Sequence, residues 1–385
     1  MSKTNTSATP ETNSVLELTQ ELVSIPSPFP EESSVATYIE KFLQNLGFSV
    51  ERVPVDTNRD NLVATFGTSS EYVCFYGHMD TVPPHPDWQQ NPLTVTVDDQ
   101  NVAHGLGVAD MKGGIAAILR VAEFAVENNY PLKLAFGVDE ENISLGSHVL
   151  VQTDFFEDVV FLISAESGQV LNETQDFAIN YGRKGRFVIA AEILGRQAHA
   201  ARSDQAVNAI TEAARLLLLI DQLQFPRHQF LENTQVIPFA CESRTSAFDI
   251  PGSAHLELNI LSVPGTTSEN TIAQLEQLCH ENGISAKFQL AERPTPYMEA
   301  YEIDRHHPLV IALEEEVFAH YNTIPAYGTS VADENRFATA LRIPVISLGP
   351  VGGGDHTEHE WVRVESLGKT LSVYQDIVRF FAQRA

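Results

Sequence analysis

Tyr72-Val73-Cys74-Phe75-Tyr76-Gly77-His78-Met79-Asp80-Thr81-Val82-Pro83 opens as an apolar, aromatic-rich run and breaks into glycine, histidine and aspartate. Residues 72–76 read as a buried strand, since a short continuous apolar run bounded by turn formers has the length and composition of one. The polar residues then fall at the strand end. In extended backbone, side chains two apart face the same side, so His78 and Asp80 can converge. Outward from this stretch, 48–53 and 62–66 read as further strands. Two amphipathic helices precede them. The first begins at Ser14, repeats Val15, Leu18, Leu22 and Val23 at three- and four-residue spacing, and is stopped by Pro26, Pro28 and Pro30. The second carries Val35, Ile39, Phe42, Leu43 and Leu46 and ends at Gly47. On the other side, 113–128 reads as a helix, with strands at 132–138 and 159–163. Helices alternating with buried strands predict an α/β domain whose strand ends present loops.

Between about 177 and 292 the texture changes. Strand-like runs at 177–181 and 186–194 precede a helix at 206–223. Strands at 235–241 and 254–261 precede a helix at 268–282 and a last strand at 284–290. Paired strands with two helices predict a small α+β layer inserted into the larger domain. Beyond Pro308 the α/β texture returns, with a helix at 309–321, a strand at 345–348 and a closing helix at 366–382. The expected division is 1–176, 177–292 and 293–385.

A chain of 385 residues is long enough for such a division, each part burying its own core. Its 24 Lys+Arg against 51 Asp+Glu give a net charge of −27. So acidic a surface repels phosphate backbones and anionic headgroups, which leaves no expectation of nucleic acid or membrane as partner. Cys74, Cys241 and Cys279 are too few and too scattered for a disulfide framework or a thiolate zinc site, which points to a reducing compartment. The polar stretch 1–14 lacks the apolar core of a secretory signal. The longest strongly apolar run, 216–220, is far below the ~20 residues that span a bilayer. The expected location is the cytoplasm.

Four more motifs carry chemistry. Gly105-Leu106-Gly107-Val108-Ala109-Asp110-Met111-Lys112-Gly113-Gly114 precedes an apolar helix. Its spacing is neither a dinucleotide fingerprint nor a phosphate-binding loop, and Asp110 also stands where a helix cap is favoured. Asp139-Glu140-Glu141 follows a buried strand, and three adjacent carboxylates repel unless cations or hydrogen bonds compensate. Glu166 follows the strand at 159–163 in Ser164-Ala165-Glu166-Ser167-Gly168. Gly352-Gly353-Gly354-Asp355-His356-Thr357-Glu358-His359-Glu360 follows the strand at 345–348. Singly, each also reads as a solvated turn. Together, His78, Asp110, Glu141, Glu166 and His356 all fall at or beyond expected strand ends. Two histidines and three carboxylates suffice for two divalent ions if one carboxylate bridges. With no thiolate, that set suits hydrolytic zinc or cobalt chemistry better than a structural zinc.

The ordered motifs Gly-His-x-Asp-x-x-Pro, Gly-x-Gly-x-x-Asp-Met-Lys-Gly-Gly, Asp-Glu-Glu, Ala-Glu-Ser and His-x-x-x-Glu resemble the M20 family of dinuclear zinc hydrolases. The likeness is of the acetylornithine deacetylase and succinyl-diaminopimelate desuccinylase type and runs over nearly the whole chain. It implies a zinc-peptidase-like catalytic domain, a mixed sheet flanked by helices, with 177–292 as an inserted α+β lid or dimerisation domain. It implies that His78, Asp110 and Glu166 hold one zinc and that Asp110, Glu141 and His356 hold the other. Asp80 would orient His78, and Glu140 would be the general base. The peptide between Asp110 and Met111 would be cis. Gly195-Arg196-Gln197-Ala198-His199-Ala200-Ala201 resembles the lid motif, whose histidine reaches the active site of the partner in a homodimer. Arg183 and Thr329 match substrate-contacting positions. The chemistry suits these residue types independently of the likeness. A water between two divalent ions has its pKa lowered, a buried glutamate can relay its proton to a leaving amine, and His199 can meet the oxyanion.

Departures from the family pattern fall on substrate readers. Leu106 stands where relatives commonly have Arg, and Ser203 replaces a usual Pro. Phe248 replaces an Asn, and Leu261 replaces an arginine that grips substrate carboxylate. A pocket that loses polar readers does not hold the same carboxylate equally well. The expected activity is release of a small acyl group, acetyl or succinyl in type, from an N-acyl amino acid. Glu166 rather than Asp argues, through the same resemblance, against an aminopeptidase. A carboxypeptidase or dipeptidase on the same metals is the alternative, and a metal-free binding protein of this fold is the non-enzymatic one.

Overall fold

The computed structural model describes residues 9–170, 172, 174–245 and 248–384; the first eight residues of the polar stretch lie outside it. The chain forms two compact units, one of Met1–Tyr181, Ile303–Ala326 and Ala332–Ala385, the other of Gly182–Glu302 with Tyr327–Val331. Sequence texture marks the insertion at 177–292, where periodicity changes; the unit limits mark where the chain changes its packing partners.

In the first unit a mixed sheet runs in the order Ser49–Asp56, Arg59–Phe66, Leu132–Gly137, Tyr72–His78, Val159–Ser164, Val345–Ser347. The first pairs are antiparallel. The central strands Leu132–Gly137, Tyr72–His78, Val159–Ser164 and Val345–Ser347 pair in parallel. Tyr72–His78 is buried at every position, as a strand covered on both faces must be. On one face Cys74 and Tyr76 pack in a cluster with Leu150 and Phe337. On the other, Phe75 meets Tyr374 of the closing helix Val364–Ala382, with ring centroids 4.6 Å apart. This is the α/β arrangement expected, helices flanking a mixed sheet.

Several helix ends depart from the apolar periodicity. The first helix begins at Pro10 rather than Ser14, because the Thr9 side chain accepts from the Thr12 N–H and proline suits the first turn. Apolar periodicity is visible only from Val15 onward. The helix read at 206–223 is Ala209–Leu217 followed by a separate turn at Ile220–Gln222, since Asn208 caps the start by accepting from Ile210 N–H. The helix read at 309–321 is Pro308–Glu316 with a distinct turn at Phe318–His320. Asp333–Leu341 and Leu145–Leu150 were too short to announce themselves.

The second unit has strand–helix–strand–strand–helix–strand order. Its antiparallel sheet runs Gln235–Glu242, Ser253–Ser262, Gly185–Leu194, Ser285–Leu290. Ile189, Ala191 and Ile193 alternate onto one face, where they bury against Ala213, Leu216, Leu275 and Leu278 of its two helices. Among the described residues no helix is long and apolar enough to cross a membrane.

Candidate metal centre

Parallel pairing puts the ends of three central strands on one edge of the sheet. His78 ends its strand opposite Gly137, and Tyr76 stands opposite Ser164, two residues before Glu166. Past Gly137 the chain turns sharply, with Asp139 in the left-handed region at φ 72°, and presents Glu140 and Glu141. These residues fall at strand ends, as the sequence pattern predicts. The pattern does not hold for Asp110 and His356. Asp110 lies just before the helix Lys112–Asn128, whose cap residue is Met111 and which has no side-chain cap. Gly114 allows this helix its approach: a Cβ there would sit 2.2 Å from the Ala165 carbonyl, next to Glu166. His356, at φ 63°, rides in a hairpin between Gly352–Gly353 and Trp361–Arg363. The glycine run that also reads as a solvated turn is partly a strand of that hairpin. The Asp110–Met111 peptide is cis.

All five candidate ligands meet within the first unit. Asp110 divides them. Its Oδ1 lies 2.9 Å from His78 Nε2, which is 3.5 Å from Glu166 Oε1. Its Oδ2 lies 3.4 Å from His356 Nε2, which is 2.9 Å from Glu141 Oε2. Ligand atoms of His78, Asp110 and Glu141 all fall within 4.8 Å of one another. Asp80 stands behind His78, fully buried. The nearest acceptor to His78 Nδ1 is the Asp80 backbone carbonyl at 3.0 Å, with the Asp80 carboxylate at 3.5 Å. A proton donated there leaves Nε2 a lone pair for a ligand bond. The other carboxylate oxygen of Asp80 accepts from Glu141 N–H at 2.9 Å, so one aspartate contacts two candidate ligands.

The repulsion expected in the acidic triplet is relieved one residue at a time. Arg59 Nη2 donates to Asp139 Oδ1 at 2.9 Å and to Glu32 Oε1 at 2.5 Å, all three side chains being buried. Burial pushes Glu140 well above the ordinary carboxylate range; His78 opposes this, and Asp333, Glu166 and Glu141 add to it. Asp333 is itself pushed up to about 6 by burial, against hydrogen bonds from Ser147 and Tyr76. Burial also works against the charged form of Asp110, yet hydrogen bonds from His356 and His78 hold it below the usual range. His356 is raised to about 10 by its bonds to Asp110 and Glu141. Imidazoles driven positive, with Glu140, Glu141 and Asp333 driven toward neutral, mark a cluster short of positive charge. Hard oxygen donors with two imidazoles and no thiolate suit divalent cations.

Asp333, Arg59 with Glu32, and Glu360 are supporting residues that had no assigned role in the sequence. Arg59 lies just before the strand read at 62–66, and nothing local in the sequence marks its pairing with Glu32. Three other sequence candidates lie in the second unit. His199 is exposed, with Nδ1 accepting from Ala201 N–H. Arg183 is buried, and the neighbouring Lys184 N–H donates to the Gly328 carbonyl at 2.9 Å, which brings exposed Thr329 close by.

The profile of Peptidase family M20/M25/M40 matches residues 74–379. The chain belongs to that family. It is therefore a hydrolase acting on amide bonds that uses divalent metal. It is similar to a succinyl-diaminopimelate desuccinylase of Halorhodospira halophila, 27% identical over 386 residues, covering 95% of this chain and 98% of the relative. Among solved structures it resembles a tripeptidase of Staphylococcus aureus, with a TM-score of 0.77 at 22% identity over 97% of this chain and 99% of that one. It also resembles a dinuclear metal-binding peptidase of the M20 family from Bacillus subtilis, with a TM-score of 0.74 at 16% identity over 97% and 99% of the two chains. At such identities the two structures speak for the fold.

Proposed function

We propose that this protein removes a small acyl group, acetyl or succinyl in type, from the nitrogen of an amino acid, using two divalent ions, zinc or cobalt. The observation carrying this reading is the division at Asp110, one oxygen toward His78 and Glu166, the other toward His356 and Glu141. Such a donor set fits a pair of cations sharing one carboxylate. Bound there, the ions would supply Lewis acidity and ease ionisation of the attacking water. Glu140 takes a proton from that water as the new C–O bond forms. When the C–N bond breaks, Glu140 returns the proton to the leaving nitrogen. Arg183 and Thr329 are assigned to the substrate carboxylate. The similarity to a desuccinylase supports this substrate class, and the reducing compartment implied by three free cysteines supports the cytoplasm.

The deciding experiment is a metal-loaded activity panel of N-acetyl, N-succinyl and N-formyl amino acids alongside dipeptides and C-terminally blocked peptides. Turnover of acyl amino acids above all peptides is expected. Preference for peptides with a free C-terminus would replace this reading with the carboxypeptidase or dipeptidase one.

We also propose a homodimer through the second unit, with His199 of one subunit serving the partner's centre as an oxyanion donor. The edge strand Gln235–Glu242 exposes Ile237 and Phe239, and Leu218 and Phe248 are 83% and 91% exposed. Uncovered apolar residues on this sheet edge and beyond the helix Ala209–Leu217 support a docking face. Mixing inactive His199→Ala with inactive Glu140→Ala is expected to restore part of the activity, because some heterodimers regain one intact centre. Subunit exchange without recovery would remove the shared-site assignment.

A further inference from the structure

Glu360 has no place in the chemistry described so far, yet it is one of the most completely buried carboxylates in the first unit, 1% exposed. Its Oε2 accepts from Gly107 N–H at 2.8 Å, and its Oε1 from Ala109 N–H at 2.9 Å and Asp110 N–H at 3.1 Å. Three backbone donors of one loop thus converge on one side chain 250 residues away in sequence. The last donor belongs to Asp110 itself.

Glu360 reaches the loop from the hairpin that carries His356. Trp361 pairs with both Gly353 and His104, so the residue after Glu360 is fixed in a sheet. Gly352, on the other strand of the hairpin, presses against the same loop, where a Cβ would sit 2.8 Å from Ala109 Cβ. One hairpin therefore supplies a candidate ligand and grips the backbone of the carboxylate that must serve two sides at once.

We infer that Glu360 is the positioning residue of the metal centre, presetting Asp110 relative to His356 so that both Asp110 oxygens are aimed before any cation binds. This rests on the reading of Asp110 as the shared ligand. Supporting groups behind a metal ligand are typically worth about 10- to 100-fold in metal affinity. Glutamine at 360 is nearly isosteric but turns a donor toward backbone N–H groups, leaving at least one without an acceptor.

The test is a zinc titration of chelator-treated full-length protein against a competing chelator, comparing wild type, Glu360→Gln and Val378→Ala. Val378 is fully buried in the closing helix and reports how far loss of general stability alone moves zinc affinity. Glu360→Gln is expected to bind zinc about 10- to 100-fold more weakly, with Val378→Ala close to wild type. Binding of Glu360→Gln equal to wild type or to Val378→Ala overturns the inference. Should Glu360→Gln not fold, hydrogen exchange on the wild type decides instead. Amides of Gly107, Ala109 and Asp110 protected without zinc support presetting; protection gained only with zinc overturns it. Asp110→Asn, run in parallel, separates the two claims. If it binds zinc like wild type, the shared-ligand reading has failed; if it alone loses zinc, only the role of Glu360 has.

Discussion

Glu140→Ala is expected to lower kcat by about a hundred- to ten-thousand-fold, the usual worth of a positioned acid–base group, while metal content stays at the wild-type level. The two effects separate because Glu140 is proposed to handle the proton, whereas its neighbour Glu141 faces His356 at 2.9 Å among the candidate ligands. Burial keeps the proton affinity of Glu140 high, and Asp333 and Glu166 reinforce it. A carboxylate of ordinary acidity accepts a proton from water poorly, although once protonated it donates readily. An affinity raised toward neutrality balances the two transfers. Cations bound alongside would lower that affinity from where burial sets it, toward the neutral range in which a base both ionises and accepts. Glu141→Ala is the counterpart and should lose metal as well as activity. Measuring kcat at saturating zinc together with metal content decides the matter. Near wild-type turnover in Glu140→Ala would move the base elsewhere.

The division of labour between Glu140 and Glu141 shows what was legible in the sequence. Strands of continuous apolar residues announced a sheet covered on both faces, and parallel pairing then forced His78, Glu141 and Glu166 to a common edge. The sequence alone could place those three at strand ends. Asp110 and His356 could not be placed by the same rule, since one precedes a helix and the other sits in a hairpin. Their motifs specified residue types, and only tertiary packing at Ala165 and Ala109 supplied their position. The neutralising partners were least visible. Arg59 finds Asp139 across 80 residues, and Glu360 finds Asp110 across 250. Neither pairing leaves a local periodicity. Helix Pro10–Ser24 shows the same limit on a small scale: its start depends on a side-chain cap, not on apolar spacing.

Asp110→Asn should have the largest effect of any single change, because this side chain is the one shared by both halves of the centre. Asparagine keeps the shape but removes the charge and replaces one acceptor oxygen with a donor. Whichever way the amide turns, either the His78 side or the His356 side meets N–H instead of oxygen. Activity is expected to fall to background, and affinity for at least one ion by at least about a hundredfold, more than a supporting residue is worth. Two measurements on unreacting protein check this independently of substrate. In the metal-free protein, His356 is held at about 10, first by Asp110 and then by Glu141. Removing the Asp110 charge destabilises the imidazolium, so the His356 pKa should fall part of the way toward its ordinary value in an NMR titration. Zinc should also stabilise the wild type against unfolding, since a ligand that binds only the folded state at a hundred times its Kd adds about 2.7 kcal/mol. A hundredfold weaker site at the same zinc concentration adds only about 0.4 kcal/mol. The zinc-induced rise in Tm should therefore largely disappear in Asp110→Asn. An undiminished rise would mean that the cations are held without it.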